Sequence, residues 1–133
     1  MRLFLDTNVI VRYLRDEPPE QAARAARVIE SEQRLTISEV TLAEVGYLLV
    51  HHYRQERAAV VDVLVDLIQR DNIDVRGLNT DTAVAGLLMC RESGRVNFAD
   101  ALTWAGARCD SPAAVYTFDR RFPADGVERR EPG

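Results

Sequence analysis

The chain has 133 residues, 47 % hydrophobic and 29 % charged, which is the balance of a globular protein with one ordinary core and excludes a disordered or fibrous class. Its net charge is −4, and all 17 basic residues are arginine. The absence of lysine excludes a phosphate-loop lysine, a Schiff-base lysine and the lysine of a receiver domain, and leaves a side chain suited to bidentate contact with phosphate or carboxylate.

Arg2-Leu3-Phe4-Leu5 is a short apolar run of weak alternation, which predicts a strand buried on both faces at the centre of a parallel sheet. It ends in Asp6-Thr7-Asn8, and open α/β sheets bind ligands beyond the carboxyl ends of their strands. A short helix is expected over 7–14, with Val9, Ile10, Tyr13 and Leu14 at helical spacing, broken by Asp16-Glu17-Pro18-Pro19. A second helix over 19–31 begins on a proline and buries Ala22, Ala25, Ala26 and Ile29, with Arg24 and Arg27 on its other side.

A strand over 35–37 precedes a strongly apolar helix from 38 or 41 to about 53, and a fourth helix spans 58–70. A third strand at 73–75 is followed by a helix over 80–92, ended by Ser93-Gly94, and another over 97–108. Residues 113–118 give a last clear strand closed by Asp119, with an edge strand near 127–129. This alternation predicts one α/β domain over 1–133, with three α/β/α layers and a central, mainly parallel sheet of four to five strands.

No apolar run approaches the roughly 20 residues of a bilayer span, and the start lacks a secretory pattern, so a cytoplasmic protein without membrane contact is expected. Cys90 and Cys109 have no close-spaced Cys or His partner and read as free thiols. The adjacent His51 and His52 point about 100° apart on a helix and cannot share an ion.

Each of four acids has an ordinary explanation. Asp6 is a plausible helix cap, and Asp119 a plausible turn residue. Glu44 closes Thr41-Leu42-Ala43-Glu44, a capping-box pattern, yet one turn from Val40 and Leu48 it is also expected on a buried face. Asp100 stands three residues after Asn97, where the helix dipole favours negative charge. Together they change the balance, because two close strands and two open helices, positions that meet at one edge of an α/β sheet. Carboxylates meeting there need a cation to remain ionised, and hard oxygen ligands select Mg²⁺ or Mn²⁺. Such a site suits metal-assisted attack of water on a phosphodiester.

Phe4-Leu5-Asp6-Thr7-Asn8, Ala43-Glu44-Val45, Phe98-Ala99-Asp100-Ala101-Leu102 and Thr117-Phe118-Asp119-Arg120-Arg121-Phe122 occur in this order across the chain. In these motifs and their spacing the chain resembles PIN-domain ribonucleases, and in length it is similar to the VapC-type toxins of toxin–antitoxin pairs. The resemblance implies a PIN-like fold and a metal-dependent endoribonuclease. It implies Asp6, Glu44, Asp100 and Asp119 as the catalytic metal site, with Asp6 and Asp100 as direct ligands of Mg²⁺ or Mn²⁺. Asn8 and Thr117 match the polar positions that orient a carboxylate or water. Also implied are a structured RNA substrate such as tRNA or rRNA, a cognate antitoxin protein and a homodimer.

The third and fourth helices, or the first with Ile10, Tyr13 and Leu14, offer apolar surface for such a dimer. Arg91, Arg95 and Arg108 are candidates for a phosphate-facing rim, against the simpler reading of a solvated face. The competing class is a non-catalytic acidic-pocket module that binds RNA or protein.

Overall fold

A computed structural model describes residues 1–92 and 94–133. Strands β1 (Leu3–Phe4), β2 (Leu35–Ile37) and β3 (Ile73–Val75) form a parallel sheet in that order, with Leu3 opposite Leu35 and Leu35 opposite Ile73. Strands β4 (Ala114–Tyr116) and β5 (Glu128–Arg130) make a separate parallel pair. The class is the expected one, mixed α/β with parallel strands, but the strands divide into two sheets.

One consequence corrects the reading of β1. Among the described residues it pairs only with β2, so it is an edge strand, and Phe4 is 53 % exposed rather than covered on both faces. The strand that could have flanked it, β4, instead runs along β5, and the Thr117 N–H extends that ladder to the Arg130 carbonyl at 2.9 Å.

The helices are α1 (Thr7–Arg15), α2 (Pro19–Ile29), α3 (Glu39–Tyr47), α4 (Arg57–Ile68), α5 (Thr80–Met89) and α6 (Phe98–Cys109). Proline opens α2, where its missing N–H would have no helical partner. Asn79 and Asn97 cap α5 and α6 with their side chains. Helix α5 stops at Met89, short of the expected end, and Ser93 of the expected stop lies outside the described residues.

The helix expected to continue from α3 to residue 53 changes character at Tyr47. Leu48–His52 is a π-helical turn, closed by the Tyr53 N–H on the Leu48 carbonyl at 3.0 Å. The wider turn keeps Leu49 buried while leaving His51 and His52 exposed, each in ring contact with a tyrosine, Tyr47 and Tyr53 respectively.

The main core joins α1, α3, α4 and α5 to the three-stranded sheet through Ile10, Leu42, Val45, Leu64 and Leu87, all fully buried. A second cluster of Trp104, Ala105, Phe122 and Val127 anchors the C-terminal segment on α6. There the Trp104 indole N–H donates to the Asp125 carbonyl at 3.1 Å, so the turn carrying Asp119 is tied to the helix carrying Asp100. No helix among the described residues is long and apolar enough to cross a membrane.

Most apolar side chains of α4 face inward, though Val63 is 38 % exposed, and Tyr13 and Leu14 of α1 are half-buried. Val60, Val61, Leu64, Leu67 and Ile68 of α4 are buried, and Ile10 of α1 is fully so. The large apolar side chains of α3 that remain outside are Val40 and Tyr47.

Both cysteines are free, Cys90 buried and Cys109 half-buried. Burial pushes the Cys90 thiol up to about 11; Arg57 opposes that rise and the charge of Asp100 adds to it. A thiol-alkylating reagent at neutral pH is therefore expected to modify Cys109 in the native protein and Cys90 only after denaturation. Peptide mass mapping checks this, and equal rates at both sites would contradict the packing of α5 on α6.

Candidate functional site

The parallel register brings the first two candidate positions to one edge. The Leu5 N–H bonds the Thr36 carbonyl at 2.9 Å, so Asp6 leaves β1 beside the point where β2 gives way to α3. Asp6 caps α1. One carboxylate oxygen accepts the Thr7 N–H at 2.9 Å and the other accepts the Asn8 side-chain amide at 3.1 Å. Both oxygens are thereby held while the residue stays exposed.

Helix α3 corrects two expectations about Glu44. Its cap is Ser38, whose hydroxyl accepts the Thr41 N–H at 3.1 Å, so Thr41-Leu42-Ala43-Glu44 is not a capping box. Nor does Glu44 lie on the buried face. That face is Leu42, Val45 and Gly46, and Glu44 stands opposite it, exposed beside Val40 and Tyr47. The misreading has a physical cause: Val40 is apolar yet 78 % exposed, so hydrophobicity does not mark which side of α3 faces inward. Without the cap, Glu44 has no local structural role to explain it.

Asp100 is the third residue of α6. Its backbone N–H is taken by the Asn97 side chain at 2.7 Å, and its carboxyl is half-buried. Burial, and then the negative charge of Asp119, hold that carboxyl above the usual carboxylate range. The structure thus brings Asp100 and Asp119 within electrostatic reach. Asp119 is also a turn residue in fact: the Thr117 hydroxyl accepts its N–H at 3.0 Å, and its own carboxylate accepts the Arg121 N–H at 2.9 Å.

None of these four acids is ion-paired with an arginine among the described residues; the ion pairs there engage Glu17, Asp62, Asp74, Glu92 and Glu128. No group of three His, Cys, Asp or Glu side chains among the described residues is close enough to enclose a metal ion. The donor chemistry of the four fits a hard divalent cation, since all are carboxylates without a competing cation. Enclosing one requires the exposed Asp6 and Glu44 side chains to turn toward the Asp100–Asp119 pair.

Of the three arginines weighed as a phosphate-facing rim, Arg91 is engaged elsewhere. Arg91 is bound to Asp62 through two hydrogen bonds of 2.8 and 2.9 Å and also meets Glu92, which leaves little of it for a phosphate. Arginines gather elsewhere. Arg12, Arg24 and Arg27 line a groove of about 770 Å³ between α1 and α2 that Asn8 also lines. Arg120, Arg129 and Arg130 line a smaller one of about 460 Å³ around Asp119, beside the exposed Phe118. Spacing on α2 shows Arg24 and Arg27 on one outer face, but no local signal tells that Arg12 lies across from them.

No curated protein matches the chain. The family model described as PIN domain matches residues 3–125, from the first residue of β1 to beyond the turn of Asp119. Domains of this kind are typically nucleases and generally use divalent metal ions. Since the match spans nearly the whole chain and includes all four acids, the chain belongs to the PIN-domain family.

Proposed function

We propose that the chain is a Mg²⁺- or Mn²⁺-dependent endoribonuclease and the toxin of a VapC-type toxin–antitoxin pair. Asp6, Glu44, Asp100 and Asp119 hold the metal. The observation that carries this reading is the Asp100–Asp119 pair: two carboxylates that repel each other, one half-buried, neither ion-paired with an arginine among the described residues. Such an arrangement raises the free energy of the ion-free protein, and a divalent cation relieves it.

When bound, the ion supplies positive charge that acidifies water and steadies the leaving oxygen of a phosphodiester. The chain's own residues do the positioning. Asn8 fixes one oxygen of Asp6 and leaves the carboxylate facing solvent. Thr117 fixes the backbone of Asp119, and Asn97 fixes the start of α6 under Asp100. Burial and the charge of Asp119 disfavour the ionised form of Asp100, and a bound cation would favour it. The partners on this reading are a structured RNA such as tRNA or rRNA and a cognate antitoxin in the cytoplasm. A second copy packs on the exposed α3 face of Val40 and Tyr47.

The test is incubation of the purified protein with an RNA pool in Mg²⁺ or Mn²⁺, in EDTA, and in Ca²⁺. Cleavage in the first, its loss in the second with recovery on re-addition, and little cleavage in the third is the expected result. A small open reading frame directly upstream, whose product blocks the cleavage, supports the toxin role. One observation favours the non-catalytic alternative, namely that no three acids are already gathered among the described residues. Oligonucleotide binding that persists in EDTA, with no cleavage under any metal, would establish that alternative.

A further inference from the structure

A groove of about 770 Å³ in this acidic chain has an arginine lining. The groove between α1 and α2 is bordered by Arg12, Arg24 and Arg27, with Asn8, Gln21 and Gln33 as further polar groups, and no Asp or Glu lines it among the described residues. In a chain of net charge −4 this is a local reversal of sign.

The guanidinium groups are placed differently. Arg12 is held across the groove, its Nε donating to the Gln21 side chain on α2 and its Nη1 to the Asn8 carbonyl on α1 at 3.2 Å. Arg24 and Arg27 stand one turn apart on the exposed side of α2, without a hydrogen bond or ion pair to any described residue. Val9, Ala25 and Val28 supply apolar surface between them. Asn8, whose side-chain amide holds Asp6, is one of the lining residues, so the groove adjoins the proposed acid site at Asp6. Asn8 and Arg12 are one helical turn, about 6 Å, apart along α1, a spacing comparable to one nucleotide step.

We infer that this groove binds the sugar–phosphate backbone of the RNA immediately beside the scissile bond, with Arg24 and Arg27 contacting phosphates and Arg12 fixing the strand's entry to Asp6. The inference rests on the ribonuclease reading and adds to it the surface that captures the substrate. Arginine is the residue for this task, since its planar fork meets phosphate oxygens bidentately. The charge of the lining selects a polyanion, and its position beside Asp6 favours RNA over an acidic peptide. It also answers how a net negative protein collects a negative substrate: the field that matters is that of the groove.

The test is affinity of a short fluorescent phosphorothioate RNA of mixed sequence, measured in Ca²⁺ across a salt series. Wild type is compared with the double variant R24A/R27A and with R34A/R76A, which removes equal charge away from the groove. Both positions in R24A/R27A are exposed helix sites, where alanine keeps the fold. Loss of two phosphate contacts is expected to flatten the salt slope by about 1.4, at about 0.7 per contact on a single strand. Affinity should fall about tenfold or more, with Mn²⁺ binding unchanged and R34A/R76A close to wild type. Equal loss in both double variants would show diffuse charge and overturn the site. So would an unchanged slope in R24A/R27A, including the case where that variant loses only capture of an acidic protein. If the slope changes as expected but no metal supports cleavage, the groove stands and the catalytic reading falls.

Discussion

Replacing Asp100 by asparagine is expected to reduce metal-dependent RNA cleavage by about 10³-fold or more while raising the melting temperature of the metal-free protein. The two effects have one cause. Burial and the charge of Asp119 push the Asp100 carboxyl upward, so in the absence of metal its ionised form is disfavoured by the fold. A group whose folded pKa lies above its unfolded value contributes stability below the unfolded value and loses it as the pH rises through the folded one. The metal-free wild type should therefore lose stability at this position as the pH rises above the usual carboxylate range, and the asparagine variant should not.

Solvent screening limits the gain to at most about 1 kcal/mol, or about 2–5 °C. Asp81 supplies the contrast. It stands in the first turn of α5, exposed, outside the proposed site. An acid there serves only the helix dipole, so its neutralisation should destabilise slightly, by about 0.3–1 kcal/mol, and leave cleavage intact. Saturating Mn²⁺ should add about 2.7 kcal/mol to the wild type at a hundredfold excess over Kd, and little to the Asp100 variant. Scanning calorimetry with and without Mn²⁺ reads all of these. A variant that melts lower than wild type and still gains from metal would make Asp100 a helix-capping acid and nothing more.

What the chain order revealed and what it hid follow from the range of the forces involved. β2 and β3 were legible to the residue, because Leu35-Thr36-Ile37 is all apolar or β-branched and Ile73-Asp74-Val75 alternates apolar with polar between turn signals. The caps at Asn79 and Asn97 are equally local. The edge position of β1 was not, because Leu3 and Phe4 look like buried strand whether or not another strand arrives beside them. The π-helical turn was hidden by the unbroken apolar run from Leu48 to Val50. For the site, the four acids were legible as an ordered set of motifs, but Glu44 was placed on the wrong side of α3. The arginine groove needed two helices at once: Arg24 and Arg27 are visible on α2, and Arg12 joins them only through the α1–α2 packing.

That packing dependence makes a buried glycine the second strong lever on the proposed site. Gly46 of α3 is buried against the ring of Phe98, the first residue of α6; a Cβ there would stand 2.7 Å from two ring atoms and 2.9 Å from a third. Phe98 is 4 % exposed, and Arg57 lies over its ring at 5.8 Å, so the ring has no open side to move into. Gly46→Ala therefore gains up to about 1 kcal/mol from helix propensity and loses about 1–3 kcal/mol to overpacking. The net expectation is destabilisation by up to about 2 kcal/mol, or up to about 8 °C.

Relief of the clash comes by moving α6 away from α3, and the turn that moves carries Asn97 and Asp100. Cleavage should fall at temperatures where the variant is still folded, and Mn²⁺ affinity should fall with it. Gly106→Ala is the matched control. It lies in α6 with Asp100, where the nearest atom to a new Cβ is a Leu78 methyl carbon at 4.0 Å, so the same change should be stabilising and leave cleavage unaltered. If Gly46→Ala melts lower but binds Mn²⁺ and cleaves as wild type does, the contact of α3 with α6 holds the fold together without setting the position of Asp100.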